Sequence, residues 1–161
     1  TIYEGTTAIQ ANDLVGRKTA RDGGATAKVL AAEIEKTQAA LLADGSIAAQ
    51  AVAQRLDTAR KAFLDAVEFI ASQAKPNPNA AYAGSVPYLM LAGNLVSGWQ
   101  MARALLAAQA LLAKGEDVAF LQAKIATAQF YAEHILVKTG ALRDSIVGGA
   151  GSVMALPLEA F

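Results

Sequence analysis

The strongest constraint on the fold is the regular spacing of apolar residues along most of the chain. Between residues 52 and 70 they recur at intervals of four and three, which places them on one side of an α-helix. This stripe consists of Val52, Leu56, Ala59, Phe63, Ala66 and Ile70. Alanine makes up about a quarter of the sequence and aromatic residues only 6%, which favours closely packed helices over a sheet. We therefore predict an all-α fold.

Turn signals divide the chain into four long helices. We predict the first over about residues 27–43, ended by Asp44-Gly45-Ser46, which also caps the second. The second helix carries the stripe above and ends at segment 75–79, Lys-Pro-Asn-Pro-Asn. Its two prolines remove backbone donors and disfavour helical geometry in the residues before them. Four amphipathic helices with short polar links predict an up-and-down four-helix bundle.

The third predicted helix is so apolar over residues 80–97 that a membrane span has to be considered. A span needs about 20 predominantly apolar residues, and Pro87 and Asn94 interrupt this one. We expect instead a central helix that is buried on several faces. Gly93 and Gly98 are predicted to allow close approach of a neighbouring helix, and the alternative is that they line a ligand gap.

The fourth predicted helix follows Gly115-Glu116-Asp117 and reaches at least Lys138. Its stripe consists of Leu121, Ile125, Ala128, Ala132 and Ile135. We expect Thr139-Gly140 to end or kink this helix. Segment 148–151, Gly-Gly-Ala-Gly, is expected to release the chain into an irregular tail.

Charge and cysteine content exclude several classes of function. Fourteen basic residues balance fourteen acidic ones, so there is no electrostatic case for nucleic acid or an anionic membrane as partner. The absence of cysteine excludes disulfides and thiolate metal sites, and it is compatible with the cytoplasm, where we expect the protein. His134 is the only histidine and has no acidic or histidine partner at metal-binding spacing, so we predict no metal site.

The first ten residues, Thr-Ile-Tyr-Glu-Gly-Thr-Thr-Ala-Ile-Gln, carry the clearest functional pattern. Thr7 and Gln10 fit a capping box, which predicts a short helix over about residues 8–15. Glu4 then lies just ahead of a helix N-terminus, where free N–H groups and the helix dipole attract anions. The local pattern leaves two interpretations open: Glu4 complements the dipole, or it is a poised base.

Gly16 is expected to stop this helix, and segment 18–24 is expected to form a polar linker. The chain therefore divides into two predicted units. Residues 1–24 hold the Glu4 segment, its helix and the linker, and residues 25–161 form the bundle.

Segment 2–6, Ile-Tyr-Glu-Gly-Thr, followed by Ile9-Gln10, resembles the catalytic segment of the acyl-CoA dehydrogenase family. In that family the glutamate removes the α-proton of an acyl-CoA thioester while a hydride leaves the β-carbon for N5 of FAD. The resemblance implies that Glu4 is the catalytic base, that Gly5 lies beside the substrate and that Thr6 contacts FAD. It also implies that the backbone N–H of Glu4 polarises the thioester carbonyl.

Later segments resemble the branch of this family that has an extra helical domain after the catalytic helix. They are segment 9–18, the helix with Gly98-Trp99, segment 130–134 and segment 149–157. The resemblance implies FAD, an acyl-CoA substrate, an electron-transfer flavoprotein as acceptor and a homo-oligomeric parent. We therefore expect this chain to be the C-terminal portion of such an enzyme, inactive alone because the family's other two domains supply most flavin contacts.

Two positions depart from the family pattern. Ala8 replaces a polar residue that faces the cofactor in many members, and Gly16 replaces an arginine that contacts CoA in some, with Arg17 displaced by one residue. Two alternative functions stay open. In the first, the appended bundle is a non-catalytic interaction or oligomerisation module. In the second, the full-length parent protein uses the flavoprotein scaffold for another task, as family members that act in DNA-damage responses do.

Overall fold

The computed structural model describes the backbone of residues 4–160 and the side chains of residues 6–160. Within these residues all regular elements are helical, which confirms the all-α prediction. The α-helices are α1 (Glu4–Asp13), α2 (Ala25–Asp44), α3 (Ile47–Gln73), α4 (Pro78–Ala83), α5 (Ser85–Leu112), α6 (Val118–His134), α7 (Thr139–Gly148) and α8 (Ala150–Val153). A π-helical segment (Leu14–Thr19) and three 3-10 turns (Ala20–Asp22, Leu136–Lys138 and Leu158–Ala160) complete the set.

The helices α3 and α5 form the centre of the bundle. They contact each other, and both also contact α2, α6 and α7. The side-chain amide of Gln109, near the end of α5, donates to Ser46 Oγ at the start of α3 over 2.9 Å, so these two ends lie together. The long helices therefore run up and down, as the sequence predicted.

The predicted stripe on α3 faces the core along its whole length. Its six residues are at most 3% exposed. Phe63 from this stripe stacks on Tyr88 of α5, with ring centroids 5.9 Å apart and ring planes 6° apart. Tyr88 is 1% exposed, so this aromatic pair lies at the heart of the α3–α5 contact.

The predicted turns between α2 and α3 and between α3 and α4 are confirmed. Gly45 ends α2 with a φ of 74°, in the left-handed region that favours glycine. Ser46 caps α3 by accepting a hydrogen bond from the backbone N–H of Ala49 at 3.2 Å. The Asn77 side chain caps α4 in the same way, and Pro78 is the first residue of that helix.

The predicted boundaries near the N-terminus are wrong. The helix α1 begins at Glu4, so Thr7 and Gln10 lie inside it and the capping box is not at a helix start. Gly16 does not stop the helix, because the chain continues through the π-helical segment and a 3-10 turn to Asp22. Only Gly23-Gly24 of the predicted linker leaves helical geometry, with φ values of 66° and 82°. Local patterns missed this continuity because tertiary contacts, described below, hold the segment helical.

Two boundaries in the second half of the chain also differ from the prediction. The helix α6 ends at His134, before Lys138, and a 3-10 turn leads into α7. The hydroxyl of Thr139, which is buried, donates to the carbonyl of Leu136 at 2.6 Å and stabilises this junction. Segment 148–151 is mostly helical, since α7 and α8 meet at Gly149.

The two glycines of α5 have different environments. A Cβ on Gly98 would lie 2.7 Å from Leu136 Cδ2, so this glycine permits the close helix approach that the sequence predicted. A Cβ on Gly93 would meet no atom within 4 Å, so no close approach takes place there. No helix among the described residues is long and apolar enough to cross a membrane, despite the apolar start of α5.

This contrast predicts opposite effects of the same substitution. Gly93→Ala should raise the free energy of unfolding by about 0.5–1 kcal/mol, because alanine favours the helix and its methyl group meets open space. Gly98→Ala should lower it by about 1–3 kcal/mol, because the methyl group would displace Leu136. Urea denaturation followed by circular dichroism measures both, and equal effects at the two sites would contradict the packing described for Gly98.

Candidate functional site

The residue predicted as the catalytic base, Glu4, is the first residue of α1. The side chain of Glu4 and the surroundings of Gly5 lie outside what the structure describes, so the roles of both residues stay predictions. Thr6 is exposed in the first turn of α1. Ile9, one turn later, has a side chain that is 66% exposed.

The last turn of α1 holds it on the bundle. Ala11 in that turn and Val15 in the π-helical segment are fully buried, and α1 contacts α5. Residues 6–10, which precede that turn and include Thr6, Ile9 and Gln10, are all exposed. The described chain therefore supplies the support beneath the Glu4 segment and leaves the outer side of α1 open to solvent.

A buried hydrogen bond fixes the π-helical segment. The hydroxyls of Thr19 and Tyr88 lie 2.9 Å apart, and both side chains are 1% exposed. A π turn adds one residue to a helical turn, and Thr19 lies at the end of this segment. Burial raises the pKa of Tyr88 to about 12. The hydrogen bond to Thr19 lowers this pKa by a smaller amount, and the negative charge of Asp22 adds a small further rise. Tyr88 therefore keeps its proton and remains available for this bond throughout the neutral range.

The turn from this segment into α2 is held by Asp22. Its carboxylate accepts hydrogen bonds from the Thr26 hydroxyl at 2.6 Å and from the backbone N–H groups of Thr26 and Gly24 at 3.0 Å. These bonds, the Thr26 hydroxyl first, lower the pKa of Asp22 below its usual value. Gly24 has a φ of 82°, and a Cβ there would lie 2.5 Å from Val67 Cγ1, so the turn also packs tightly on α3.

The structure gives a reason for glycine at position 16, where the sequence departs from the family pattern. A Cβ on Gly16 would collide with the hydroxyl of Tyr82 in α4. Arg17, at the next position, is 74% exposed and forms a salt bridge of 3.0 Å with Asp13 in the same helix. The absence of a side chain at position 16 therefore permits contact between the π-helical segment and α4.

An apolar cavity lies beside this segment, between the π-helical turn, α2 and α5. Its volume is about 340 Å³. Most of its lining residues are apolar, and Lys18 is the one with a basic side chain. The lining consists of Leu14, Lys18, Thr19, Thr26, Ala27, Leu30, Phe63, Tyr88, Leu89, Ala92, Gly93 and Val96. The cavity can hold an alkyl or aromatic group. Gly93 thus lines a gap, the alternative that the sequence left open for it.

The remaining residues singled out from the sequence are not brought together in one site. His134 stacks on Phe130 with ring centroids 4.4 Å apart, and no cluster of metal-binding side chains occurs among the described residues. Trp99 donates from Nε1 to the Thr37 hydroxyl at 2.7 Å and joins α5 to α2. No local pattern indicates the pairing of Thr19 with Tyr88, because these residues are 69 positions apart.

Comparison with known proteins identifies relatives of the whole chain. A family model described as acetyl-CoA dehydrogenase C-terminal like matches residues 30–157. The 3-methylmercaptopropionyl-CoA dehydrogenase of Ruegeria pomeroyi is 52% identical over 157 residues, which cover 98% of this chain and 26% of that protein. The broad-specificity linear acyl-CoA dehydrogenase FadE5 of Mycobacterium tuberculosis is 32% identical over 175 aligned positions, which cover 99% of this chain and 27% of that protein.

These relatives confirm the family resemblance seen in the sequence. Both are named as acyl-CoA dehydrogenases. The chain spans about a quarter of the length of each. The family model begins at residue 30, so it describes the bundle, whereas the two alignments extend over nearly all of the chain.

The buried pair Thr19 and Tyr88 predicts strongly coupled mutations. Tyr88→Phe should lower the free energy of unfolding by about 1–3 kcal/mol, because the Thr19 hydroxyl loses its partner in a buried place. Thr19→Val should have a similar effect. The double variant should be more stable than the sum of the two losses predicts, because no polar group is left unpaired. Additive losses in urea denaturation would mean that the two hydroxyls are not coupled.

The raised pKa of Tyr88 predicts a loss of stability at alkaline pH. The unfolded chain ionises this tyrosine from about pH 10, whereas the folded chain holds the proton to about pH 12. The folded state favours the neutral form of Tyr88. The resulting contribution to the free energy of unfolding is fully present below pH 10 and is lost as the pH rises to 12. The loss should be about 2–3 kcal/mol. Tyr88→Phe should remove this component of the pH profile, and Tyr82→Phe, at an exposed tyrosine, should retain it.

Proposed function

This chain belongs to the acetyl-CoA dehydrogenase C-terminal-like family, and on that basis we propose that it is the C-terminal part of an enzyme that α,β-dehydrogenates acyl-CoA thioesters. The observation that carries the proposal is the segment Ile-Tyr-Glu-Gly-Thr at residues 2–6, which leads into α1. The relatives named as acyl-CoA dehydrogenases support it, since their alignments cover nearly the whole chain.

In this proposal the carboxylate of Glu4 removes the α-proton of the thioester. An unperturbed glutamate has a pKa of about 4.3, and an efficient base at neutral pH needs a higher one. The N-terminus of α1 acts in the opposite direction, because its dipole favours the charged carboxylate. Burial in an apolar acyl pocket must outweigh that dipole. The exposed outer side of α1 is where the rest of the enzyme would close this pocket.

The backbone of Glu4 has a second role in the proposal. In the proposal its N–H is a donor that the helix leaves free for the substrate, as the first N–H groups of a helix are. Such a donor, directed at the thioester carbonyl, stabilises the negative charge that develops when the α-proton leaves. Gly5 follows, and the absence of a side chain there leaves room for the acyl group.

The cofactor implied by the family is FAD, which accepts the hydride from the β-carbon when bound. Thr6 is the residue of this chain that we propose to contact it. The position fits, because Thr6 is exposed in the first turn of α1, close in sequence to Glu4. The same proposal includes an acyl-CoA substrate, an electron-transfer flavoprotein as acceptor, a homo-oligomeric assembly and a cytoplasmic location.

The bundle is proposed to support this chemistry by holding the catalytic helix. The fully buried side chain of Val15, the bond between Thr19 and Tyr88 and the turn at Asp22 fix α1 to α5, α3 and α2. A base that must meet a substrate carbon needs a rigid support, because small displacements reduce the rate strongly. The alternative, a bundle that serves only for association, is supported by the apolar outer side of α6, which is treated below.

The test is Glu4→Gln in the full-length protein that contains this chain. We expect turnover of an acyl-CoA thioester to fall by about 10²–10⁴-fold, the contribution typical of a general base, while FAD and thioester binding are retained. The flavin absorbance spectrum measures binding, and reduction of an electron acceptor measures turnover. Asp13→Asn is the matched control, since Asp13 is a carboxylate on the same helix that pairs with Arg17, and it should leave turnover unchanged.

Retained turnover in Glu4→Gln would remove Glu4 from the mechanism. A second measurement tests whether this chain is sufficient for the flavin site. The 161-residue chain, mixed with FAD and desalted, should remain colourless. A yellow protein after desalting would contradict the proposal that the rest of the enzyme supplies most of the flavin contacts.

A further inference from the structure

The helix α6 carries two apolar stripes, and the bundle uses only one of them. The stripe that the sequence predicted, which includes Leu121, Ala128 and Ala132, packs into the core. The second stripe points away from it, with Phe120 54% exposed and Phe130 58% exposed. A helix that is apolar on all sides is normally buried, and α6 has only two residues with permanently charged side chains, Lys124 and Glu133. Its outer side therefore has the composition of a covered surface.

We propose that this outer stripe is the contact surface for a second copy of the chain, in which two α6 helices pack antiparallel. We call it the α6 seam. Its residues are Phe120, Ala123, Thr127, Phe130 and His134 of α6, with Val137 of the 3-10 turn that follows. The five residues on α6 are spaced 3-4-3-4, as the a and d positions of a coiled coil are, and all six are exposed in the single chain.

The sizes of the seam residues favour an antiparallel partner of identical sequence. With the two-fold axis between Ala128 and Gln129, Thr127 faces Phe130 of the second copy. The same register places Ala123 against His134 of that copy, and it brings Phe120 to the end of the second α6, beside the 3-10 turn that carries Val137. Each pair combines a larger with a smaller side chain, so the two surfaces interlock. A parallel pair would place Phe120 on Phe120 and Ala123 on Ala123, which leaves both clashes and gaps.

The charges at the two ends of α6 favour the same arrangement. Glu116 and Asp117 precede the helix and are exposed, and Lys138 follows it and is exposed. Antiparallel packing places Lys138 of each copy near Asp117 of the other. Antiparallel packing also makes the two helix dipoles point in opposite directions, which is electrostatically favourable. Beside the seam, Glu133 would face Ala126 of the second copy, so like charges do not meet.

Side chains on the seam are already arranged for such a contact. Phe130 stacks on His134 with centroids 4.4 Å apart, and Lys124 lies over the ring of Phe120, with Nζ 5.1 Å from its centroid. Two ordered aromatic groups surrounded by alanine and threonine resemble the anchor residues of protein interfaces. The contact extends over little more than one helix, which predicts weak association in the 161-residue chain.

The first test measures the mass of the 161-residue chain by sedimentation equilibrium from about 1 μM to about 1 mM, the range of weak association. We expect a monomer–dimer equilibrium within that range. Phe130→Lys and, as a second variant, Thr127→Lys should each weaken the dimer at least about tenfold, a loss of about 1.4 kcal/mol. Val29→Lys is the matched control, because Val29 is 66% exposed on α2, away from the seam, and it should dimerise like the unchanged chain.

The second test determines the direction of the two helices. The chain has no cysteine, so single cysteines can be placed without background. A short bismaleimide should link two copies of Thr127→Cys, near the proposed axis. It should not link Ala119→Cys, because the two Ala119 positions would be roughly 30 Å apart at a rise of 1.5 Å per residue.

Three results would overturn the inference. A chain that stays monomeric up to about 1 mM would exclude the dimer. The α6 seam would then be a surface for another part of a longer protein. A dimer that both lysine variants leave intact would use another surface. Efficient linking of Ala119→Cys would exclude antiparallel packing. None of these results affects the proposed dehydrogenation, which does not depend on the seam.

Discussion

The stacked rings of Phe63 and Tyr88 join the two central helices, and the hydroxyl of Tyr88 joins them to the π-helical segment that follows α1. One side chain therefore connects the core of the bundle with the support of Glu4. A buried hydroxyl is costly unless it is bonded, and Thr19 supplies the partner of the Tyr88 hydroxyl. The helical path from α1 to Asp22 is what brings Thr19 to Tyr88.

This arrangement relates the two parts of the chain to each other. The sequence divides into a short segment that resembles the catalytic region of acyl-CoA dehydrogenases and a longer bundle. In the structure these parts share one core, since Val15 belongs to the same buried cluster as Phe63 and Leu91. The division at residue 24 remains a prediction about domains, but the buried contacts cross it. The bundle therefore bears directly on the position of α1.

The outer sides of α1 and α6 show different kinds of exposure. On α1, exposed Thr6 and Ile9 lie near the proposed base, and the remaining three quarters of a full-length relative have no counterpart in this chain. On α6, the exposed residues form a regular stripe with complementary sizes and opposite charges at its ends. Continuous exposure around the first half of a helix suits a surface completed by a different domain, whereas a repeating stripe suits a second copy of the same helix.

The sequence by itself determined the helical class, the turns at Gly45 and Asn77, the buried stripe of α3 and the resemblance of the Glu4 segment to a known family. These features depend on residues within a few positions of each other, where periodicity, capping and backbone preferences act. Only the tertiary structure decided that Gly16 lies inside a helix, that Gly98 and Gly93 have opposite environments, and that Thr19 bonds to Tyr88. Each of these depends on atoms from a distant part of the chain, so local pattern could name the two helix glycines but could not tell which one packs closely and which one lines a gap.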